Sequence, residues 1–310
     1  MLSVLIPTKN GGPLFEEVLQ GLKNQDYRGE VELLVVDSGS SDMTLQLARR
    51  YGARIESIPP QEFNHGLTRD CGIGLTRGEV IVLMTQDAVP ADQHLLSALA
   101  AAFEDPEVGG AYARQLPRPE ANVLTKRNLN GWFTGRTEPE VRRIDDMDAY
   151  RSLNPWKRFA LCNFDNVCSA VRRSAWEPIR FKRNNFGEDI AWCKAALEQG
   201  WKIAYSPDAC VVHSHDQRSA HYQYKRGYMH HQLVYRLFRL RAIPTRQRAW
   251  KAFRTVLRQD MAYVAKHEPS LRKRLLLWSR IPGWTLASIL AQYKGGADAA
   301  RGVEKRKRGV

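Results

Sequence analysis

The stretch EVIVLMTQDAVPAD, residues 79–92, decides how the rest of the chain is read. Four apolar residues and Met84 run into Thr85, Gln86 and Asp87, and Pro90 then turns the chain. A short apolar run bounded by turn residues reads as a buried strand, so this strand ends by presenting one carboxylate. Upstream, VELLVVDSGSSDMT (31–44) does the same with Asp37, and SVLIP (3–7) opens into a loop holding Lys9, Asn10, Gly11 and Gly12. PLFEEVLQGLKNQ (13–25) has apolar residues at 14, 15, 18, 19 and 22, which is helical spacing. MTLQLARRYG (43–52) reads as a helix closed by Gly52, and ARIESIP (53–59) as a short strand. GLTRDCGIGLTRG (66–78) reads as a helix ending in Gly78, and DQHLLSALAAAFED (92–105) as the next helix. Alternation of this kind predicts an α/β fold, a mainly parallel sheet flanked by helices. Ligands of such sheets sit outside the carboxyl ends of the strands, where Asp37 and Asp87 lie.

The chain has 310 residues, 43% of them hydrophobic, enough for a sizeable core. Its five cysteines are odd in number and lack CxxC spacing, so they read as reduced thiols of a cytosolic protein. MLSVLIPTKN has no basic start and reads as a first strand, not a signal peptide. The net charge of +14 is uneven. Residues 1–217 carry 25 Lys and Arg against 29 Asp and Glu, whereas residues 218–310 carry 22 against 4, a net of +18. The expected organisation is therefore a nearly neutral body, 1–217, and a basic appendage, 218–310, that seeks a polyanionic surface.

No GxGxxG follows the first strand and no GxxxxGK[ST] occurs, so dinucleotide and P-loop chemistry lack support. What remains is acidic and polar: Asp37, Asp42, Asp87, then NNFGEDIAWC (184–193) and VVHSHD (211–216). Oxygen ligands and a histidine suit Mg²⁺ or Mn²⁺. Such a cation neutralises the charge that develops on a departing diphosphate.

VLIPTKN, VVDSGSSDMT, MTQDAVP and FGEDIAW resemble the successive motifs of family 2 glycosyltransferases, which have the GT-A fold. EFNHGLTRDCGIGLTRGEVIVLMTQDAVP together with HSHDQRSAHYQYKRGYMHH is similar to bacterial rhamnosyltransferases of polysaccharide assembly. The resemblance covers about residues 2 to 235. It implies that Pro7, Thr8, Lys9, Asp37, Ser38, Asn64, His65, Gly66, Arg69, Thr85, Gln86 and Asp87 form the nucleotide-sugar site. Asp37 would accept from the nucleobase or ribose; its bland alternative is a helix N-cap, which Ser41 or Asp42 supplies better. Lys9 reads equally as an ordinary loop residue. Arg69 would reach the diphosphate, unless Asp70 pairs with it. The family's DxD is reduced here to Thr85-x-Asp87, which leaves Asp87 as the metal carboxylate with one charge fewer.

Glu188 and Asp189 stand in the first turn of a helix, where acids are also favoured by the helix dipole. The resemblance gives the general base to the second acid, Asp189, with Glu188 beside it. Trp192 either walls the acceptor site or belongs to the core. His213 and His215 share one face of a strand end; His213 is the expected metal ligand and His215 its competitor, assigned otherwise to the acceptor.

In the appendage, residues 224–244 and 246–267 have the spacing of basic amphipathic helices. RLLLWSRIPGWTLASILAQY (274–293) is more apolar, but Arg280, Pro282 and Gly283 interrupt it, short of the ~20 residues that span a membrane. It is expected to lie on an anionic membrane with Trp278 and Trp284 inserted. A nucleic-acid-binding reading of the tail leaves Asp37, Asp87, Asp189 and the two histidines without a role. The resemblance thus implies transfer of L-rhamnose from dTDP-β-L-rhamnose, with inversion, to a polyprenyl-diphosphate-linked saccharide at the cytoplasmic face of a bacterial membrane.

Overall fold

The computed structural model describes residues 1–216 and 219–303, so the terminal basic run after Val303 and residues 217–218 at the expected division lie outside the described residues. The chain runs β1 (Leu2–Thr8), α1 (Gly12–Lys23), β2 (Val31–Asp37), α2 (Thr44–Arg50), β3 (Arg54–Ser57), α3 (His65–Leu75), β4 (Val80–Met84), β5 (Val89–Pro90) and α4 (Leu95–Ala101). It continues through β6 (Val108–Leu116), α5 (Val123–Asn130), β7 (Glu140–Arg142), α6 (Met147–Ser152), α7 (Pro155–Leu161), β8 (Cys168–Arg172), α8 (Arg173–Ile179), α9 (Glu188–Glu198) and β9 (Lys202–Val212). Three longer helices follow: α10 (Ala220–Phe238), α11 (Arg246–His267) and α12 (Leu271–Ala300).

One sheet has the order β3-β2-β1-β4-β8-β6-β9-β5, with β7 on β9. β1, β2, β3 and β4 are mutually parallel, as the alternating pattern predicts, and β6 and β9 are also parallel. β8 enters antiparallel between β4 and β6 and joins the two halves. Alternate residues of β1 feed opposite layers: Leu5 packs with Leu34, Leu83 and Tyr112, while Val4 and Ile6 pack with Phe15, Val18 and Leu19 of α1. Each such fully buried side chain contributes about 1.5–3 kcal/mol.

The third helix stops at Leu75, short of Gly78, because Thr76 turns extended and satisfies Ile73 O with its hydroxyl at 2.7 Å. The C-terminal helices depart more from expectation. Val234, Phe238 and Leu240 join the main core of the body, so α10 is part of the catalytic fold and residue 217 does not divide two cores. Pro282 does not break α12, which runs through it. Trp284 is buried with Val264, Leu277, Ile281 and Leu124 of α5, and the Trp278 indole donates to Met261 O at 3.2 Å. Both tryptophans therefore help hold the helices together, Trp284 buried and Trp278 half-buried. Among the described residues no helix is long and apolar enough to cross a membrane.

Candidate active site

A cleft of about 800 Å³ opens at the carboxyl ends of β1 and β4, lined by Pro7, Thr8, Lys9, Ser38, Asn64, His65, Arg69, Thr85, Gln86 and Asp87, together with Arg183 and Asn185. The predicted donor residues are thus brought together, but they do different jobs. Gln86 clamps the first loop: its Oε1 accepts from Lys9 N at 2.8 Å and its Nε2 donates to Lys9 O at 3.1 Å. Asn64 caps α3, accepting from Leu67 N at 3.2 Å, and donates to Asn184 O at 2.9 Å, which ties this loop to the one before α9. Gly66 makes that approach possible, because a Cβ there would collide with the carbonyl oxygen of Lys182.

Asp37 stands behind Ser38, 2% exposed. Its carboxylate accepts from the backbone of Gly39 and Ser40, both at 2.9 Å, and from Thr8 Oγ1 at 3.3 Å. It organises the loop over the cleft and does not cap α2; Asp42 bonds Thr44 N at 3.0 Å and Gly12 N at 3.1 Å.

Asp87 lies in the turn after β4 and faces both histidines. His215 Nε2 is 3.0 Å and His213 Nε2 3.7 Å from its oxygens, and the three ligand atoms lie within 4.8 Å of one another. β9 ends at Val212, three residues before His215, and the two rings meet edge to face at 4.9 Å. Burial resists ionisation of Asp87, but the His215 hydrogen bond and both imidazoles outweigh it and hold its carboxyl below the ordinary range. Burial pushes His213 down to about 4 against the pull of Asp87, so its imidazole is neutral at pH 7. Gln115 Oε1 lies 3.1 Å from His213 Nδ1 and accepts its proton, which leaves the Nε2 lone pair toward Asp87. One carboxylate and two imidazoles form a donor set that a divalent metal fits, and its nitrogens suit Mn²⁺ better than Mg²⁺.

Glu188 and Asp189 separate as adjacent helical residues must. Gly187, at φ +71°, turns the chain into α9. Glu188 is buried and pairs with Arg69 at 2.6 Å, while Arg69 also donates to Asn166 O at 3.2 Å. Glu188 is therefore held by an ion pair, and Arg69 has its charge already met. Asp70 is not the partner of Arg69: it accepts from Arg180, Trp176 Nε1 and Phe181 N, each at 2.9 Å. Asp189 keeps an accessible edge within dense surroundings. Burial first, then Glu188 and Asp165, raise its carboxyl well above the ordinary value. Trp192 is core: it is 2% exposed and stacked on Phe181 with ring centroids 5.5 Å apart.

Gln115, Asp165 and Arg118 escaped the sequence reading because no motif spacing marks them. Arg118 Nη2 donates to Asp87 O at 2.6 Å and its backbone N to Ser214 Oγ at 3.0 Å, which joins the two metal-facing turns. Asp165 accepts from the Gln115 side chain and lies close enough to Asp189 to raise it.

Residues 3–180 match the glycosyl transferase family 2. The chain is 30% identical over 223 residues to the O-antigen chain rhamnosyltransferase RfbN of Salmonella typhimurium, covering 69% of this chain and 67% of that one. It is also 30% identical to the O-antigen chain rhamnosyltransferase WbaN of Salmonella anatum, over 69% of this chain and 66% of that one. Among solved structures, the fold is similar to the mannosyltransferase PcManGT of Pyrobaculum calidifontis in complex with GDP-Man and Mn²⁺, with a TM-score of 0.60 and 19% identity over 98% of this chain and 88% of that one. It is likewise similar to S. aureus TarS 1–349, with a TM-score of 0.54 and 16% identity over 98% and 93%. The sheet with its flanking helices is a GT-A fold. With its cleft at the strand ends and its sequence matched over more than half its length, the chain belongs to glycosyl transferase family 2 and is a glycosyltransferase.

Proposed function

We propose that the protein transfers L-rhamnose from dTDP-β-L-rhamnose to a hydroxyl of a lipid-linked saccharide in bacterial surface polysaccharide synthesis. The observation that carries the reaction class is the meeting of Asp87, His213 and His215 at the mouth of the donor cleft. The donor rests on the two relatives named rhamnosyltransferases. Thr8, Lys9 and Ser38 line the nucleotide end of the cleft, with Asp37 shaping it from behind. Mn²⁺ or Mg²⁺ held by Asp87 and His213, with His215 as a third ligand, would offset the charge of the diphosphate. The neighbour solved with GDP-Man and Mn²⁺ supports that reading by analogy of fold.

Asp189 is the general base. The acceptor oxygen bonds to C1 of the sugar as the bond from C1 to the diphosphate breaks. The electron pair leaves with the diphosphate, and the acceptor proton passes to the Asp189 carboxylate. A single displacement inverts C1 and turns the β-L donor into an α-L-rhamnoside. A base works best with a pKa near the working pH, which suits the raised carboxyl of Asp189.

The acceptor is held at the inner face of the bacterial membrane, and α11 is the surface that meets anionic lipid. Its outward face carries Lys251, Arg254 and Arg258 around Trp250, which is 62% exposed, and Leu271, Leu275 and Leu276 at the start of α12 are exposed as well. Cations beside exposed apolar residues fit an interfacial surface. Hydrolysis of a panel of nucleotide sugars, with and without EDTA, tests the donor and the metal together. dTDP-rhamnose should turn over fastest and only with metal; a faster UDP or GDP sugar would replace the donor assignment.

A further inference from the structure

We propose that a second cavity, of about 420 Å³, on the far side of His213 and His215 from the donor cleft, is the acceptor subsite, and that it seats a pyranose ring against Trp132. The inference deepens the proposed function and rests on it for the identity of the donor side. The two cavities share no lining residue, yet Asp87 borders one and His213 and His215 the other, with ligand atoms within 4.8 Å. They are therefore two chambers that meet at the candidate metal centre.

Trp132 is built for display. It is 50% exposed, although its backbone is pinned on both sides. Trp132 N donates to Leu129 O at 3.0 Å, Gly135 N donates to Trp132 O at 3.0 Å, and Gln115 N donates to Thr134 O at 2.8 Å. The indole leans on Phe133 at 5.4 Å, and Phe133 in turn meets the buried Tyr112 edge-on at 5.7 Å. A large aromatic ring fixed in place while facing a cavity loses little freedom when a ligand arrives. The electron-rich face of an indole attracts the weakly positive C–H face of a sugar ring.

The rest of the wall suits hydroxyl groups. Asn128 offers its amide N–H groups, its oxygen already accepting from Arg127 at 2.8 and 3.1 Å; Gln223 offers donors and an acceptor, and Arg226 adds a cation. The inner wall is Gln115, which bonds His213 on one side and Asp165 on the other. Asp165 is the neighbour that helps raise the general base Asp189. A sugar seated on Trp132 therefore lies against the same wall as the candidate metal centre, since His213 and His215 line this cavity as well. Trp192, expected for this role, is sealed in the core.

The test uses the full chain with dTDP present and methyl rhamno-, gluco-, galacto- and mannopyranosides as probes, read by saturation-transfer NMR. At least one pyranoside should give a signal with the native chain. Trp132→Ala should lower that signal about fivefold, with dTDP affinity unchanged. Trp156→Ala, a change at a tryptophan 54% exposed but outside both cavities, should leave it intact. An unchanged signal in Trp132→Ala, an equal loss in Trp156→Ala, or no pyranoside signal from the native chain overturns the proposal. If Trp132→Ala also loses dTDP, as a misfolded chain would, Gln223→Ala decides. There the sugar signal should fall about twofold with dTDP kept, and an unchanged signal overturns the proposal. Failure of the native chain to bind dTDP would sink the donor reading alone, because the sugar arm is read separately.

Discussion

The sheet-bearing body and the helices after it handle charge in opposite ways. In the body, buried ions have fixed partners. Arg69 and Glu188 are 4% and 9% exposed and bond at 2.6 Å, and Arg142 donates to Leu161 O and Asn163 O at 2.6 and 2.7 Å. On α11 and α12, Arg246, Lys251, Arg254, Arg258, Arg272 and Lys273 face outward, in a segment with few acids to meet them. A buried charge depends on one neighbour and fails when that neighbour goes. Exposed cations share a field, so each is replaceable by the next. Single substitutions should therefore be severe in the body and mild on the helices.

The most severe should be Arg69→Met. It leaves the buried Glu188 carboxylate without its cation, and breaking a buried pair costs about 3–5 kcal/mol. The urea midpoint reads this directly. Adding Glu188→Leu should restore much of the loss, since removing both charges also removes the desolvation. No recovery in the double variant would mean that the pair acts through its bonds to Asn166 and the α3 loop.

Next comes Asp189→Asn, expected to lower turnover ~10²-fold or more while the dTDP dissociation constant stays put. The pH profile carries a sign. Because the carboxyl of Asp189 is raised, its basic form appears only as pH climbs through that higher value. Native activity should thus fall on the acid side at a pH above the ~4 of an ordinary aspartate. A near-native rate for the asparagine variant would remove the base assignment.

These residues were legible in the sequence to different degrees, and the reason is geometric. Strand ends are visible because a continuous apolar run stops, which is how Asp87 was found. The facing of His213 and His215 follows from their spacing of two. Gln115 and Asp165 come from separate segments and are joined only through the fold, so nothing in their local sequence marks them. Trp192 and Trp132 show the same limit from the other side: a tryptophan beside a motif proved to be core, and one far from any motif proved to face a cavity. Amphipathic spacing on α11 and α12 revealed apolar faces but not what covers them. Leu124 of α5 and the helices themselves cover Trp284, where a membrane was expected.

α10 sits between the two regimes and tests where the boundary lies. Burial pushes His230 down to about 4 and His231 down to about 3, with Arg226 and His230 respectively adding to the effect. An unfolded histidine titrates near ~6.5. Between that value and about 4, the unfolded chain takes up protons that the folded chain refuses, so stability should fall as pH drops through this window. Each ring contributes at most about 1.4 kcal/mol per pH unit, less for the exposure it retains. Replacing both by glutamine should flatten the pH dependence of the urea midpoint. An unaltered slope would mean that α10 is loosely attached and behaves like the helices beyond it.

The mildest effect should come from the outward face of α11. If that face meets anionic lipid, Arg254→Gln removes one of several cations and should weaken binding to phosphatidylglycerol vesicles by ~1 kcal/mol, about what one exposed charge contributes. The same loss should follow from Lys251→Gln or Arg258→Gln, since the field is shared and, among the described residues, none of the three has a privileged partner to abandon. Raising the salt should erase the differences among the variants, because exposed charges are screened over ~8 Å at physiological ionic strength. Some binding should persist at high salt through Trp250, Leu271, Leu275 and Leu276, whose exposed apolar surface is indifferent to screening. Turnover on a soluble acceptor should not change in any of the three. Should one arginine alone abolish vesicle binding, α11 would hold a specific anion pocket of the kind found in the body, and the contrast between the two regions would fail at that residue.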